Sequence, residues 1–107
     1  MTPTDHVVAL TTTPTAEEAS KLAQGLVDAR LAACVQISSP ITAVYRWQEK
    51  VWTEPEWQLW IKTATDKRDD LVNWLDEHHS GEVPELIFLP ITDGSDAYLS
   101  WITEQTR

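Results

Sequence analysis

Glu82-Val83-Pro84-Glu85-Leu86-Ile87-Phe88-Leu89-Pro90-Ile91 is the stretch whose reading decides the fold. Leu86 to Leu89 is a continuous apolar run bounded by prolines, too short for a helix, and it reads as a strand buried on both faces. Pro84 and Pro90 lack the N–H that a ladder needs, so they mark the ends of its pairing. Just upstream, His78, His79 and Glu82 form the one close grouping of metal-ligand side-chain types in the sequence. Core strand and candidate site are therefore neighbours.

Working outward, Asp66 predicts an N-cap, and Leu71, Val72, Leu75 and either His78 or His79 the inward stripe of a helix that stops at Ser80-Gly81. After the strand, Asp93-Gly94 reads as a turn and Ala97 to Ile102 as a short helix. At the other end of the chain, His6 to Thr12 is β-branched and predicts a first strand. Thr15-Ala16-Glu17-Glu18 has capping-box spacing, with Glu18 reaching back to the cap. The helix it opens carries Ala19, Leu22, Ala23, Leu26 and Val27 on one stripe and ends near Arg30. Gly25 inside it costs about 1 kcal/mol relative to alanine unless close packing requires it. Leu31 to Ile37 predicts a second strand. Ile41 to Trp47 and, after Gln48-Glu49-Lys50, Val51 to Thr63 predict the arms of a hairpin, with a bend or bulge at Pro55. Seven extended residues already reach about 23 Å, so part of this hairpin should project beyond the main sheet.

The order β-α-β-β-α-β plus a terminal helix is the ferredoxin-like, split-βαβ arrangement: an α+β fold with an antiparallel sheet and both main helices on one face. Its 107 residues suit one domain, 1-107. No 18-residue apolar run and no basic segment leading an apolar one occurs, which predicts a soluble, intracellular protein with neither membrane span nor secretory signal. Cys34 is the only cysteine, so there is no internal disulfide, and its small apolar neighbours predict core packing for it. With 17 acidic against 8 basic residues the formal charge is −9, which sets a phosphate backbone against repulsion and argues against nucleic acid.

Two helices can cover only one face of such a sheet. Val7 to Leu10 and Leu86 to Leu89 are nevertheless apolar at every position, so both faces want cover. Self-association through the open face is the simplest remedy, and an oligomer is expected. The six tryptophans fit this picture. Trp47, Trp52, Trp57 and Trp60 are expected to anchor an interface.

Two imidazoles and a carboxylate, His78, His79 and Glu82, are a reasonable set for Cu(II), Zn(II) or Ni(II). Adjacent helical residues point about 100° apart, so both histidines reach one ion only where the helix has already frayed at Ser80-Gly81 or where one of them binds together with a neighbouring subunit. The competing arrangement has one packed and one solvated histidine at a helix C-terminus, where the dipole favours imidazolium. The pairs Glu17-Glu18 and Asp69-Asp70 lie in first helical turns and need no catalytic account.

Arg30-Leu31-Ala32-Ala33-Cys34-Val35, Tyr45 with Trp47 and Lys50, Ile61-Lys62-Thr63, His79 with Glu82-Val83-Pro84-Glu85, Leu89-Pro90-Ile91, and Gly94 with Tyr98-Leu99 and Trp101-Ile102 together resemble the CutA divalent-cation tolerance family. The likeness runs in order from Val7 to Ile102. It implies a ferredoxin-like domain assembled as a homotrimer, a cytoplasmic location, a role in tolerance or homeostasis of divalent metals such as copper, and no enzymatic reaction. Two departures stand out: His79-Ser80-Gly81-Glu82 replaces the family's His-Pro-Tyr-Glu, and Thr11 occupies a position where some members carry a cysteine that can bind copper. In a trimer of this kind, Tyr45, Trp47, Glu56, Lys62 and Glu85 would line a groove between subunits, with Lys62 the cation able to hold an anionic group. An alternative on the same plan is a trimeric sensor of the PII type that binds a small molecule at subunit boundaries, although no Gly-rich phosphate loop is present. An acylphosphatase-like enzyme would want an arginine in an anion-binding loop, and the turn after the first strand offers only Thr11-Thr12-Thr13-Pro14.

Overall fold

A computed structural model describes residues 5–107. In chain order it contains β1 (His6–Thr13), α1 (Ala16–Asp28), β2 (Cys34–Ile37), β3 (Ile41–Trp47), β4 (Lys50–Ala64), α2 (Arg68–His78), β5 (Ile87–Pro90) and α3 (Asp96–Gln105), with a 3-10 turn at Thr65–Lys67 leading into α2. The sheet runs β2-β4-β1-β5 with antiparallel pairing throughout, and β3 pairs the far part of β4. This is the ferredoxin-like α+β arrangement that the element order implies.

Alternation along β1 sorts the layers. Val7, Ala9, Thr11 and Thr13 are buried on the side of α1 and α2, where Ala9, Leu59 and Ile61 pack with Leu22, Leu26, Leu71 and Leu75. Val8, Leu10 and Thr12 take the opposite face. There α3 covers one end: Ile102 is fully buried, and His6 Nε2 lies 2.8 Å from Thr103 Oγ1. Beyond α3 the register sets Val8 beside Leu89 and Lys62, and Leu10 beside Ile87 and Trp60. Ile87, Leu89 and Trp60 are 48%, 43% and 38% exposed, so the expected burial of the Leu86–Leu89 run on both faces is not met within one chain. Among the described residues β5 pairs with β1 alone, and only Leu86 and Phe88 of this run pack against the core. Both faces are apolar, but among the described residues only one is covered throughout, and α3 covers no more than an end of the other.

The hairpin meets the expectation that it projects. Pairing of β1 with β4 stops at Trp57, while β3 continues with β4 from Glu56 to Lys50, and the molecule measures 44 × 25 × 24 Å. No bulge interrupts β4 at Pro55, because register runs unbroken from Thr42↔Pro55 to both sides. The reason is parity. Gln58 and Lys62 turn their carbonyls toward the β2 edge, accepting from Ser38 N and Ala33 N, so the odd-numbered Pro55 turns its nitrogen to the opposite edge, which is open beyond Thr13. A missing N–H there removes no ladder bond.

Element ends differ from the sequence expectations where hydrogen bonds compete. Leu31 N and Ala32 N both turn back to Leu26 O, closing α1 behind Arg30 at φ 59, so β2 starts at Cys34 rather than Leu31. Asp66 falls in the 3-10 turn and does not cap α2. Thr15 caps α1 through Glu18 N at 3.1 Å, but Glu18 does not reach back. Its carboxylate instead accepts from Ser80 N at 3.0 Å and Ser80 Oγ at 2.6 Å, two charge-assisted bonds in place of one. Cys34 is only half-buried; it pairs with Lys62 on the face away from α1 and α2 and stands outside the core cluster expected to hold it.

Candidate functional site

The chain leaves α2 at His79, whose backbone is extended, and reaches β5 through residues 80–86. This connection faces the projecting hairpin across an open cleft of about 670 Å³. The hairpin supplies Tyr45, Trp47, Glu54 and Glu56, and the connection supplies His79, Glu82 and Glu85. The cleft thus brings together, within one chain, four of the five residues expected to line a groove. Lys62 is the exception. It stands on the open sheet face opposite Val8, with Nζ hydrogen-bonded to Gln36 Oε1. No lysine or arginine lines the cleft among the described residues.

The cleft is therefore acidic and partly aromatic. Glu54 and Glu56 lie two apart on β4 and so share a face. Tyr45 Oη donates to Glu54 Oε2 at 3.1 Å; partial desolvation, and then this carboxylate, push the phenol above its ordinary range. Burial, and after it the neighbouring Glu85 carboxylate, raise the Glu56 carboxyl against a hydrogen bond from Thr12 that pulls it down. Trp52 Nε1 donates to Trp47 O at 3.0 Å and pins the tip of the hairpin. Trp47, Trp52 and Trp60 are exposed as interface anchors would be in a lone chain, whereas Trp57 packs against the core.

The histidines adopt the competing arrangement, one packed and one solvated. His79 has a side chain only 5% exposed, with Nε2 2.6 Å from Thr12 O and Nδ1 accepting from Gly81 N at 2.8 Å. A nitrogen that accepts an amide N–H fixes the other as the donor, so His79 bridges β1 and the connection as a neutral imidazole with no free lone pair. His78 turns the other way, stacks on Trp74 at 3.9 Å, and donates from Nδ1 to Trp74 O at 2.7 Å. His78, His79 and Glu82 do not fit one divalent ion as placed. Among the described residues no group of three or more His, Cys, Asp or Glu side chains is positioned to hold a metal. What the arrangement offers is a cleft with carboxylates and aromatic faces, suited to positive charge.

Residues unforeseen from the sequence are Glu54, which its i+2 spacing from Glu56 could have flagged, and Ser80, which with Glu18 ties the connection to α1 across 62 positions of sequence.

A model of the CutA1 divalent ion tolerance protein family matches residues 7–105. The chain is 43% identical over 101 residues to the chloroplastic protein CutA of Arabidopsis thaliana, which covers 94% of this chain and 56% of that relative. It is 41% identical over 99 residues to the divalent-cation tolerance protein CutA of Thermus thermophilus, covering 92% and 96% respectively. Among solved structures, the divalent cation tolerance protein of Thermus thermophilus superposes with a TM-score of 0.92 at 40% identity over 95% of this chain and 99% of that one. CutA from Synechococcus elongatus gives 0.94 at 38% identity over 100% and 95%.

Proposed function

The chain belongs to the CutA1 divalent ion tolerance family, and on that premise we propose that it serves divalent-cation tolerance as a non-enzymatic homotrimer. The observation that carries the assembly is the sheet face left open by α3, with Ile87, Leu89 and Trp60 exposed beside a hairpin whose Val44 and Val51 are 67% and 61% exposed. An apolar sheet face open over two strands, together with apolar positions exposed on the projecting arm, is stable in water when like subunits cover it. The hairpin supplies the reach, and the cleft at its base then lies where subunits meet.

Toward a divalent ion such as Cu(II), the chain offers His78 Nε2 and the exposed carboxylate of Glu82 as separate ligands, while His79 is held by its two backbone bonds. Cation contact is accordingly weak and nonspecific within a subunit. The acidic cleft disfavours a nucleotide, so the tolerance reading outranks that of a nucleotide sensor. Sedimentation equilibrium at low micromolar concentration tests the assembly: a mass three times 12.1 kDa is expected, and a lone 12.1 kDa species would defeat it. Copper titration tests the ligands. His78→Ala is expected to weaken binding and His79→Ala to leave it unchanged; a loss confined to His79→Ala would restore the buried imidazole as a ligand.

A further inference from the structure

The projecting hairpin has two unlike faces. Register sets Tyr45 and Trp47 of β3 beside Trp52 and Lys50 of β4, on the face that also carries Glu54 and Glu56 and forms one wall of the cleft. Arg46 and its register partner Val51 take the opposite face and line no part of the cleft. Both are exposed, Val51 at 61%, and Arg46 has no ion-pair partner among the described residues. On the cleft side the charges are unanswered in the opposite sense. Glu54 and Glu56 are partly buried, and Glu85 of the connection and Glu54 both repel Glu56. The backbone of the ribbon stands between Arg46 and these carboxylates, so within one chain they do not meet. A second copy can bring them together.

We propose that Arg46 of a neighbouring subunit enters the cleft and pairs with Glu54 and Glu56, its planar guanidinium against the exposed rings of Tyr45 and Trp47. Val51 of the same neighbour adds apolar contact beside it. This rests on the self-association proposed above and names the side chain through which the next subunit completes the cleft. It also bears on the symmetry. A contact of one hairpin face on the other is heterologous and repeats from copy to copy until the ring closes. Cleft face on cleft face would instead set each group of carboxylates against its own copy, with Lys50 the one cation on that side of the hairpin to offset them.

Sedimentation equilibrium over a dilution series tests the contact, with far-ultraviolet circular dichroism as the check on folding. Arg46→Glu is expected to raise the dissociation constant at least tenfold, and Glu56→Arg to do the same. The two changes together exchange the charges and should recover most of the loss. Lys50→Glu should alter the constant less than threefold. A wild-type chain that sediments at 12.1 kDa throughout would overturn the assembly reading and this contact with it. A wild-type assembly that Arg46→Glu leaves intact would overturn this contact alone. So would a folded double variant no better than either single one, or dissociation by Lys50→Glu in place of Arg46→Glu.

Discussion

Gly25 of α1 lies against the indole of Trp74 of α2: a carbon added at position 25 would sit 2.6 Å from Cζ2 and 2.9 Å from Cη2 of that ring. The interior glycine is thus a packing requirement. Gly25→Ala gains about 1 kcal/mol of helix propensity but overpacks at a cost of about 1–3 kcal/mol. Trp74 is held by its stack on His78, so it does not simply swing aside. A net loss of about 1 kcal/mol is expected in chemical denaturation at fixed protein concentration. In a Trp74→Ala background the same change should stabilise by about 1 kcal/mol, and an equal effect in both backgrounds would show the contact to be immaterial.

Glu18 joins α1 to the connection through Ser80, and its side chain is 18% exposed. Burial works to raise its carboxyl, but the two Ser80 bonds outweigh that and hold it below its ordinary 4.5. A lowered folded-state value means that its stabilisation is complete above the ordinary value and is lost as pH falls through the folded one. Glu18→Gln should therefore cost about 2 kcal/mol at pH 7, and the gap to wild type should close below pH 4.5. A gap that persists unchanged into strong acid would assign the cost to shape rather than charge.

How far these relationships were legible depends on their range. The Ala19, Leu22 and Leu26 stripe and the Ile41–Trp47 arm are local periodicities, and they stand where the periodicity places them. Glu18 reads locally as half of a capping box, since only the nearest donor is visible from the sequence; Ser80 outcompetes it from 62 positions away. The apolar run at Leu86–Leu89 reveals that both faces want cover, but not that β5 is an edge whose outer face the described residues leave bare. His78 and His79 read as a pair because they are adjacent. Only the turn to extended backbone at His79 separates them, giving one to Trp74 and the other to Thr12.

The hairpin turns through Gln48 and Glu49 at φ 52 and 67, between the closing pair Trp47 and Lys50. Two consecutive left-handed residues make a type I′ turn, which matches the strand twist but penalises any side chain by about 1 kcal/mol. Glu49→Gly is expected to raise the unfolding midpoint by the equivalent of about 1 kcal/mol, and Gln48→Asn by less. Glu49→Val should lower it. A hairpin indifferent to all three would mean that the tip is not part of the cooperative unit.

Leu89 sits beside Val8 on the open face, 43% exposed in the single chain. A glutamate there costs little on a lone subunit, where the carboxylate stays hydrated at an edge strand. Packed against a second copy, the same carboxylate would be desolvated, a penalty of several kcal/mol per site. Leu89→Glu should therefore shift the sedimenting mass toward that of one 12.1 kDa chain while far-ultraviolet circular dichroism keeps its mixed helix and sheet signal. Val44→Glu, on the hairpin and away from the open face, separates the two surfaces: if the arm alone holds the assembly, it dissociates and Leu89→Glu does not. Retention of the wild-type mass by Leu89→Glu would remove the open sheet face from the interface and leave its exposed Ile87, Leu89 and Trp60 needing another cover.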